Sequence, residues 1–356
     1  MSPARLRVAR RILEVGTAVA LAVVLLGLGL PHSAGASWSQ IGDVLSSVRP
    51  EEFALLTLVW LGGLWVHTIA LAAALPGLSR TRAFFLNITG SSVSNLVPLG
   101  GTLGTAVNWW SCRRWGFSTA AFVRWAMVTN IWDVLTRLLV PGVALTWLGY
   151  RGLGDDDVLL GATLVSAAAL LGAAGTTVAM LRTDTGARRL GGVADRLAAA
   201  LRRPPRNRAR QAVQVRRDLA DLIRRAWLRL TVGKLLYAVA QAGLLWLCLR
   251  VVGTAAAPAV VFAAFAVERV LSLAVITPGA TGFVEIGMTT YLARMGADPA
   301  TSAAGVLLYR FFVIGMEVPL GGALLLPWSL RQVATRRSRD RDLLPGISTR
   351  PGPAVR

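Results

Sequence analysis

Charged residues are scarce in this chain, and cysteine and histidine are almost absent. Only 16% of the residues are Asp, Glu, Lys or Arg, whereas soluble domains carry about 25%. Two cysteines, Cys112 and Cys248, are too few for a disulfide framework. The two histidines, His32 and His67, belong to no metal-binding pattern, and the sequence contains no phosphate-cradling glycine loop. These absences exclude a disulfide-stabilised domain and give metal or nucleophilic chemistry little basis, so we expect no cofactor and no metal.

Apolar residues and arginine dominate what is present. Hydrophobic residues make up 54% of the 356 residues, which is typical of a polytopic membrane protein whose core is the interior of a helix bundle. The formal net charge is +20, mostly from arginine. In such a protein this charge marks cytoplasmic loops and contacts with anionic lipid headgroups, and we expect no nucleic-acid partner. The predicted fold class is therefore an all-α membrane bundle.

Two short segments of the chain resemble each other, and both place proline and glycine inside apolar sequence. They are SNLVPLGGTLG, at 94–104, and VITPGATGFVE, at 275–285, and they contain Pro98 and Pro278 respectively. The offset between these two prolines also relates Arg114 to Arg294, Gly116 to Gly296 and Ala120 to Ala300. Broken helices in a membrane are tolerated only where protein or a polar cavity surrounds them, and paired breaks indicate a transporter substrate site. The alternative is that both breaks are simple helix kinks.

Apolar runs and arginine bias predict six membrane spans and two re-entrant hairpins. The spans are 12–30, 53–75, 118–148, 158–181, 230–249 and 300–326, and the hairpins are 83–110 and 259–295. The first hairpin is expected to enter from the cytoplasm and the second from outside, which makes an inverted-topology repeat. Hydropathy alone would instead make 259–276 a full span.

The remaining segments are basic and are predicted to be cytoplasmic. They are the N-terminus 1–11, the linker 182–229 and the tail 331–356, which is expected to be disordered. The N-terminal apolar stretch resembles a signal peptide with a cleavage site near Ala34, but it is long enough to be an uncleaved span. We therefore expect a multi-pass protein of the cytoplasmic membrane with both termini inside.

Charged residues within predicted membrane segments are functional candidates by default. Asp133 and Arg137 are four residues apart on one helix face, so they can pair; the alternative to a functional role for such charges is a set of structural ion pairs that cancel each other. Arg310 is expected to bind a lipid phosphate, which the planar guanidinium suits, while Glu285 orients it or binds a cationic headgroup; the alternative is a salt bridge between these two that only holds the hairpin. The predicted substrate-binding residues are Asn95, Pro98, Gly101, Thr102, Asn108, Asp133, Arg137, Glu268, Arg269, Pro278, Gly279, Gly282, Glu285, Arg310 and Glu317. No catalytic residue is predicted.

Nearly the whole chain resembles the flippase-like transmembrane region of bacterial lysylphosphatidylglycerol synthases. The resemblance is carried by SNLVPLGG and RRWGFS in the first half, and by TPGATGFVE, MGADPATSA and LLYR in the second. It implies movement of an anionic or aminoacylated phospholipid, or of a polyprenyl-linked glycolipid, between leaflets. Many family members carry a charged residue in the first turn where this chain has Gly-Thr. The soluble aminoacyl-transfer domain is not expected, because the chain ends soon after the last span, so synthase activity is not implied.

Two other interpretations of the sequence remain open. One is a membrane-embedded glycosyltransferase or lipid-modifying enzyme that uses Asp133, Glu285 or the acidic run 155–157. The other is a non-transporting accessory subunit that docks a cytoplasmic partner through 182–229. The partner expected at 182–229 is either such a cytoplasmic protein or a second copy of the chain in a homo-oligomer. Metal-dependent turnover would favour the enzyme, and co-purification of a partner would favour the subunit.

Overall fold

The chain is built from helices throughout the part that the structure describes. This computed structural model describes residues 16–96, 100–153, 156–182, 208–273 and 277–342. The helices are α1 (Gly16–Ala34), α2 (Trp38–Ser46), α3 (Pro50–Ala73), α4 (Arg80–Leu96), α5 (Gly101–Arg114), α6 (Thr119–Tyr150), α7 (Asp156–Arg182), α8 (Arg208–Val251), α9 (Pro258–Leu271), α10 (Phe283–Arg294), α11 (Pro299–Arg310) and α12 (Glu317–Asp342). Pro98, the N-terminus 1–11, the linker residues 183–207 and the tail beyond residue 342 lie outside the described residues. The predicted all-α class is confirmed.

Five helical stretches within the described residues are long and apolar enough to cross a membrane. They are Gly16–Ala34, Pro50–Ala73, Thr119–Tyr150, Val213–Val251 and Pro299–Leu330. The predicted span 158–181 coincides with α7, whose described apolar stretch is the shorter Thr163–Val178. The chain is therefore a multi-pass membrane protein.

The helix α8 joins two pieces that the sequence interpretation separated. Residues 208–229 were assigned to the basic linker and 230–249 to a span, but both belong to one continuous helix. The reason is that Leu219 and Ala226 are buried in the same apolar cluster as Leu230, so the apolar stripe continues at helical spacing without a break.

Local chemistry fixes where the helices begin and end. The Ser118 side chain accepts from the backbone N–H of Ala121 at the start of α6, and Asp298 accepts from that of Thr301 at the start of α11. Gly116 and Gly296 follow α5 and α10 with φ of 89° and 86°, in the left-handed region that favours glycine. The two glycines that the repeat pairs thus perform the same task.

The repeat extends from sequence to helix boundaries. Helix α5 ends at Arg114 and α10 at Arg294; α6 begins at Thr119 and α11 at Pro299. Each of these pairs has the same offset as Pro98 and Pro278. The helix pair α4–α5 therefore corresponds to α9–α10, and α3 corresponds to the second half of α8.

Helices that correspond in the repeat also have corresponding packing partners. Helix α3 lies antiparallel against α8, with Gly63 near Ala240 and Gly233 so close to Ala70 that an added Cβ would lie 2.6 Å from the Ala70 backbone nitrogen. Helix α4 packs on α12, where the Ser92 hydroxyl donates to the Val318 carbonyl at 3.0 Å. Its counterpart α9 packs on α6.

The paired helices α4–α5 and α9–α10 are short. Helices α5 and α9 have 14 residues each and α10 has 12, which makes them about 18–21 Å long at 1.5 Å per residue. A hydrocarbon core is about 30 Å thick. The described helix of the segment 259–276, α9, is therefore shorter than the hydrocarbon core is thick.

Candidate functional site

A polar cavity of about 450 Å³ lies between the turns of the two helix pairs. Gly100 and Gly101 of the first turn line it, as do Gly279 and Ala280 of the second. Its wall carries charged and polar side chains from α3, α4, α6, α8, α9 and the segment from Arg310 to Glu317. Nine predicted site residues line it: Asn95, Gly101, Asp133, Arg137, Glu268, Arg269, Gly279, Arg310 and Glu317.

The other predicted residues of the first helix pair lie away from this cavity or outside the described part. Asn108 of α5 packs against Gly90 of α4: a Cβ added to Gly90 would lie 2.5 Å from the Asn108 Nδ2 atom. Thr102 is exposed and does not line the cavity. Asn108 therefore contacts the neighbouring helix of its own pair and does not line the cavity.

The second turn is held by glycines in left-handed conformations. Gly279 has φ of 59° and Gly282 has φ of 92°. A Cβ at Gly279 would lie 2.7 Å from Ile314 Cδ1, and one at Gly282 would lie 2.5 Å from Leu25 Cβ. Both positions thus need glycine for conformation, and Gly282 also needs it for space, because its neighbour is the Cβ of Leu25 and not the flexible end of a side chain. Pro278 and Gly282 shape the turn but do not line the cavity.

Arg310 is held by three partners on the second helix pair. Its Nε donates to Glu285 Oε1 at 2.7 Å, its Nη2 donates to the Gly279 carbonyl at 2.6 Å, and its Nη1 lies 3.8 Å from Glu268 Oε1. Glu285 also accepts from the Gly282 backbone N–H at 2.6 Å. The salt bridge that the sequence analysis gave as the alternative is therefore present, and Glu285 itself does not line the cavity.

Glu268 and Arg269 form a second ion pair on the wall of the cavity. Arg269 Nη1 also donates to Gln241 Oε1 at 3.2 Å, and its guanidinium lies 4.5 Å from the centre of the Phe265 ring. The contact between Arg269 and Gln241 links α9 to α8, and the charge of Arg269 is balanced by that of Glu268.

Asp133 pairs with a lysine from another helix, and the ion pair with Arg137 that the helical spacing allows does not form. Lys234 Nζ lies 2.5 Å from Asp133 Oδ1 and 2.9 Å from His67 Nε2. The Lys234 side chain is 2% exposed, whereas that of Asp133 is 46% exposed and borders the cavity. His67 stacks on Tyr237 with ring centres 4.1 Å apart. Lys234 reaches Asp133 because α8 packs beside both α3 and α6.

Among the Asp, Glu, Lys and Arg residues that line the cavity, Arg137 and Glu317 form no ion pair with any described residue. Arg137 Nη1 donates to the Ser272 hydroxyl at 2.7 Å. Glu317 is 4% exposed and accepts from Ser91. An arginine without a carboxylate partner in a polar cavity can bind an anion, and an unpaired carboxylate there can bind an ammonium group.

Several residues that line the cavity are not among the predicted site residues, chiefly Lys234, His67, Tyr237, Gln241 and Ser272. Lys234 interrupts the apolar run of the predicted span 230–249, so the rule applied to the other intramembrane charges would have found it. Ser272 is the counterpart of Ser92 at the offset of the repeat, so the repeat also contained a signal for it.

Comparison with known proteins agrees with this architecture. No curated protein matches the chain significantly. The family model for the lysylphosphatidylglycerol synthase TM region matches residues 14–321, which include both helix pairs and every described residue of the cavity wall. The chain therefore belongs to the lysylphosphatidylglycerol synthase TM region family.

Proposed function

We propose that this protein moves a phospholipid between the leaflets of the cytoplasmic membrane, with the headgroup passing through the polar cavity while the acyl chains stay in the bilayer. The observation that carries the proposal is the cavity itself: it places Arg137, without an ion-pair partner among the described residues, between the turns of two short helix pairs. Family membership supports a lipid as the substrate.

The proposed membrane arrangement is an inverted repeat of two re-entrant hairpins, α4–α5 from the cytoplasm and α9–α10 from outside. Two observations support it. The hairpin helices α5, α9 and α10 are shorter than the hydrocarbon core. The corresponding helices α3 and α8 are antiparallel, as an axis in the membrane plane requires. Basic segments at both ends of the chain favour cytoplasmic termini.

Within this proposal the role of each of the four arginine and lysine residues that line the cavity follows from whether it has an acidic partner. Lys234, Arg269 and Arg310 are neutralised by Asp133, Glu268 and Glu285. Arg137 retains its capacity for a bidentate contact with the headgroup phosphate. Glu317 is placed to bind an ammonium group of an aminoacylated headgroup. In this proposal Arg310 holds the second turn through Glu285 and the Gly279 carbonyl, and the phosphate contact predicted for it is assigned to Arg137.

The test is lipid translocation by the full chain in proteoliposomes, followed with acyl-labelled fluorescent phosphatidylglycerol and dithionite quenching. Arg137→Gln should slow translocation by about tenfold or more, since a charge-assisted hydrogen bond contributes about 1.5–3 kcal/mol. Arg137→Lys should retain part of the rate, because it keeps the charge without the fork. The matched control is Arg151→Gln, an exposed arginine that follows the same helix α6 and lies outside the cavity.

The results separate the proposal from its competitors. A rate equal to the parent in Arg137→Gln would exclude Arg137 as the phosphate ligand. No translocation by the folded parent, together with metal-dependent turnover of a lipid or sugar donor, would favour the membrane enzyme instead. No translocation with stable capture of one cytoplasmic protein would favour the accessory subunit.

A further inference from the structure

A second concave surface lies apart from the cavity, at the end of the bundle where α3 ends and α8 enters. It has a volume of about 600 Å³ and shares no lining residue with the polar cavity. We call it the α3–α8 groove. Its apolar floor is formed by Ile69, Ala72, Ala73, Leu222 and Ala226. Its rim carries Arg80, Arg225 and Arg229.

The helices diverge here because of how they pack in the neighbouring part of the bundle. Gly233 contacts Ala70 so closely that a Cβ on the glycine would lie 2.9 Å from the Ala70 Cβ. Beyond this contact α8 continues past the end of α3, which leaves the space between Ala73 and Leu222 open. The groove is thus an apolar slot that begins where the bundle core ends.

The rim of the groove is positive and holds no acid among the described residues. Arg225 and Arg229 are exposed, lie one helical turn apart on the same face of α8, and form no ion pair with a described residue. Asp218 and Asp221 line an adjoining concavity that shares Arg225 with the groove, and each is paired there with another arginine: Asp218 with Arg124 Nη1 at 2.8 Å, and Asp221 with Arg224. Two cations of the rim therefore lack a counter-charge from the described residues.

The third rim cation is held in position by α3. Arg80 Nε donates to Thr68 Oγ1 at 2.9 Å, and its Nη2 donates to the Trp65 carbonyl at 3.0 Å. Its guanidinium also lies 4.8 Å from the centre of the Trp65 ring. Exposed Trp65 and Trp227 belong to α3 and α8, the two helices that form the groove, and exposed tryptophans are typical of the level at which headgroups meet hydrocarbon.

From this combination we infer that the α3–α8 groove is a binding site for an anionic phospholipid, distinct from the translocation cavity. The headgroup phosphate lies between Arg225, Arg229 and Arg80, and one acyl chain lies along the apolar floor. Charge complementarity selects an anionic headgroup, because a zwitterionic lipid would bring an ammonium group to a rim without an acid. The inference does not depend on lipid translocation and applies equally to a non-transporting protein.

The test is photo-crosslinking of the purified full chain with phosphatidylglycerol that carries a diazirine in one acyl chain. Crosslinks should map to the groove segments 69–80 and 222–229. The double variant Arg225→Gln with Arg229→Gln should raise the half-saturating lipid concentration by about 30-fold, given about 1 kcal/mol for each arginine engaged. Ala72→Phe, which fills the floor without altering charge, should also reduce groove crosslinking.

The matched control is Arg82→Gln with Arg114→Gln. Both arginines are exposed and lie over Trp115 and Trp110, outside the groove. The control removes the same charge and should alter groove crosslinking by less than about threefold.

Three outcomes would overturn the inference. Equal loss in the control would mean bulk attraction to an anionic surface, and equal crosslinking by a phosphatidylcholine probe would mean no headgroup selection. Competition by inorganic phosphate as effective as by unlabelled phosphatidylglycerol would mean a free-anion site in which the acyl chain takes no part.

Discussion

Arg137 and Glu317 line one cavity from corresponding positions of the repeat, and neither forms an ion pair with a described residue. Each lies beside a serine that the repeat also pairs: Arg137 donates to Ser272 at 2.7 Å, and Ser92 donates at 3.0 Å to the carbonyl of Val318, next to Glu317. The repeat therefore preserves the local packing while the charge is reversed. Unpaired charge inside a membrane bundle is costly, about 2.5–3.5 kcal/mol on translocon scales, so we expect function to retain it.

Replacing Glu317 should reveal whether the headgroup carries an amine. In Glu317→Gln, translocation of acyl-labelled phosphatidylethanolamine should fall by about tenfold, while that of phosphatidylglycerol should be unchanged, because only the former loses a charged partner. Dithionite quenching measures both. Glu51→Gln, which removes an exposed acid, is the control. An equal loss for both lipids would show that Glu317 does not recognise the amine.

Reversing the Glu285–Arg310 pair should not restore stability. Glu285 accepts from the Gly282 N–H and Arg310 donates to the Gly279 carbonyl, so the backbone partners fix which residue is the acid. Glu285→Gln should cost about 3–5 kcal/mol of unfolding free energy, as expected for breaking a buried pair. The double reversal Glu285→Arg with Arg310→Glu should be no more stable than the single variant Glu285→Gln. Dodecyl sulfate titration of the purified protein measures this.

The control for that experiment is the pair Arg124 and Asp218. The Arg124 side chain is 28% exposed and that of Asp218 is 34% exposed. Asp218 also accepts a hydrogen bond from the side chain of Gln214, which can adapt to a reversed pair. Its reversal should cost less than about 1 kcal/mol. Recovery of parental stability by the Glu285–Arg310 reversal would mean that the backbone contacts carry little energy.

Lys234 and Asp133 should show energetic coupling. Lys234 is 2% exposed, so Lys234→Met removes the cation beside Asp133 and leaves that carboxylate uncompensated. The loss should be larger in the parent than in the Asp133→Asn background, with an interaction energy of about 1–3 kcal/mol in a double-mutant cycle of unfolding. Additive losses would indicate that the cavity water already compensates Asp133.

Alanine substitutions at Gly282 and Gly296 should distinguish the cost of backbone strain from the cost of steric crowding. Both have positive φ, 92° and 86°, but a Cβ at Gly282 would lie 2.5 Å from Leu25 whereas one at Gly296 meets nothing within 4 Å. Gly296→Ala should therefore cost about 1–2 kcal/mol from conformation alone. Gly282→Ala should cost clearly more in the same unfolding assay. Equal costs would mean that α1 moves away from the second turn without penalty.

Arg114 and Arg294 provide a test of the proposed inverted topology. They end α5 and α10, are exposed and correspond in the repeat. In a background without Cys112 and Cys248, both of which are buried and free, Arg114→Cys should react with an impermeant maleimide only from the cytoplasmic side. Arg294→Cys should react only from outside. Reaction of both from one side would contradict the inverted repeat.

Composition and pattern alone determined the class of this protein and predicted its internal repeat. Apolar runs and scarce charge predicted a helical membrane protein, because only internally hydrogen-bonded segments are stable in hydrocarbon. The offset between Pro98 and Pro278 predicted two corresponding breaks, and the helix ends at Arg114 and Arg294 follow it. These features are local or periodic, so they can be read without knowing which helices touch.

Only the tertiary structure decided which charges are partners. Sequence spacing favoured Asp133 with Arg137, yet the packing of α8 beside α6 brings Lys234 within 2.5 Å of Asp133. The same packing leaves Arg137 without an ion pair to any described residue, its contact being with the Ser272 hydroxyl. It also engages Arg310 with Glu285 and Gly279. Helical spacing identifies neighbours on one helix, but ion pairs between helices depend on the register at which they pack. That register, set here by close contacts such as Gly233 with Ala70, is a property of the assembled bundle.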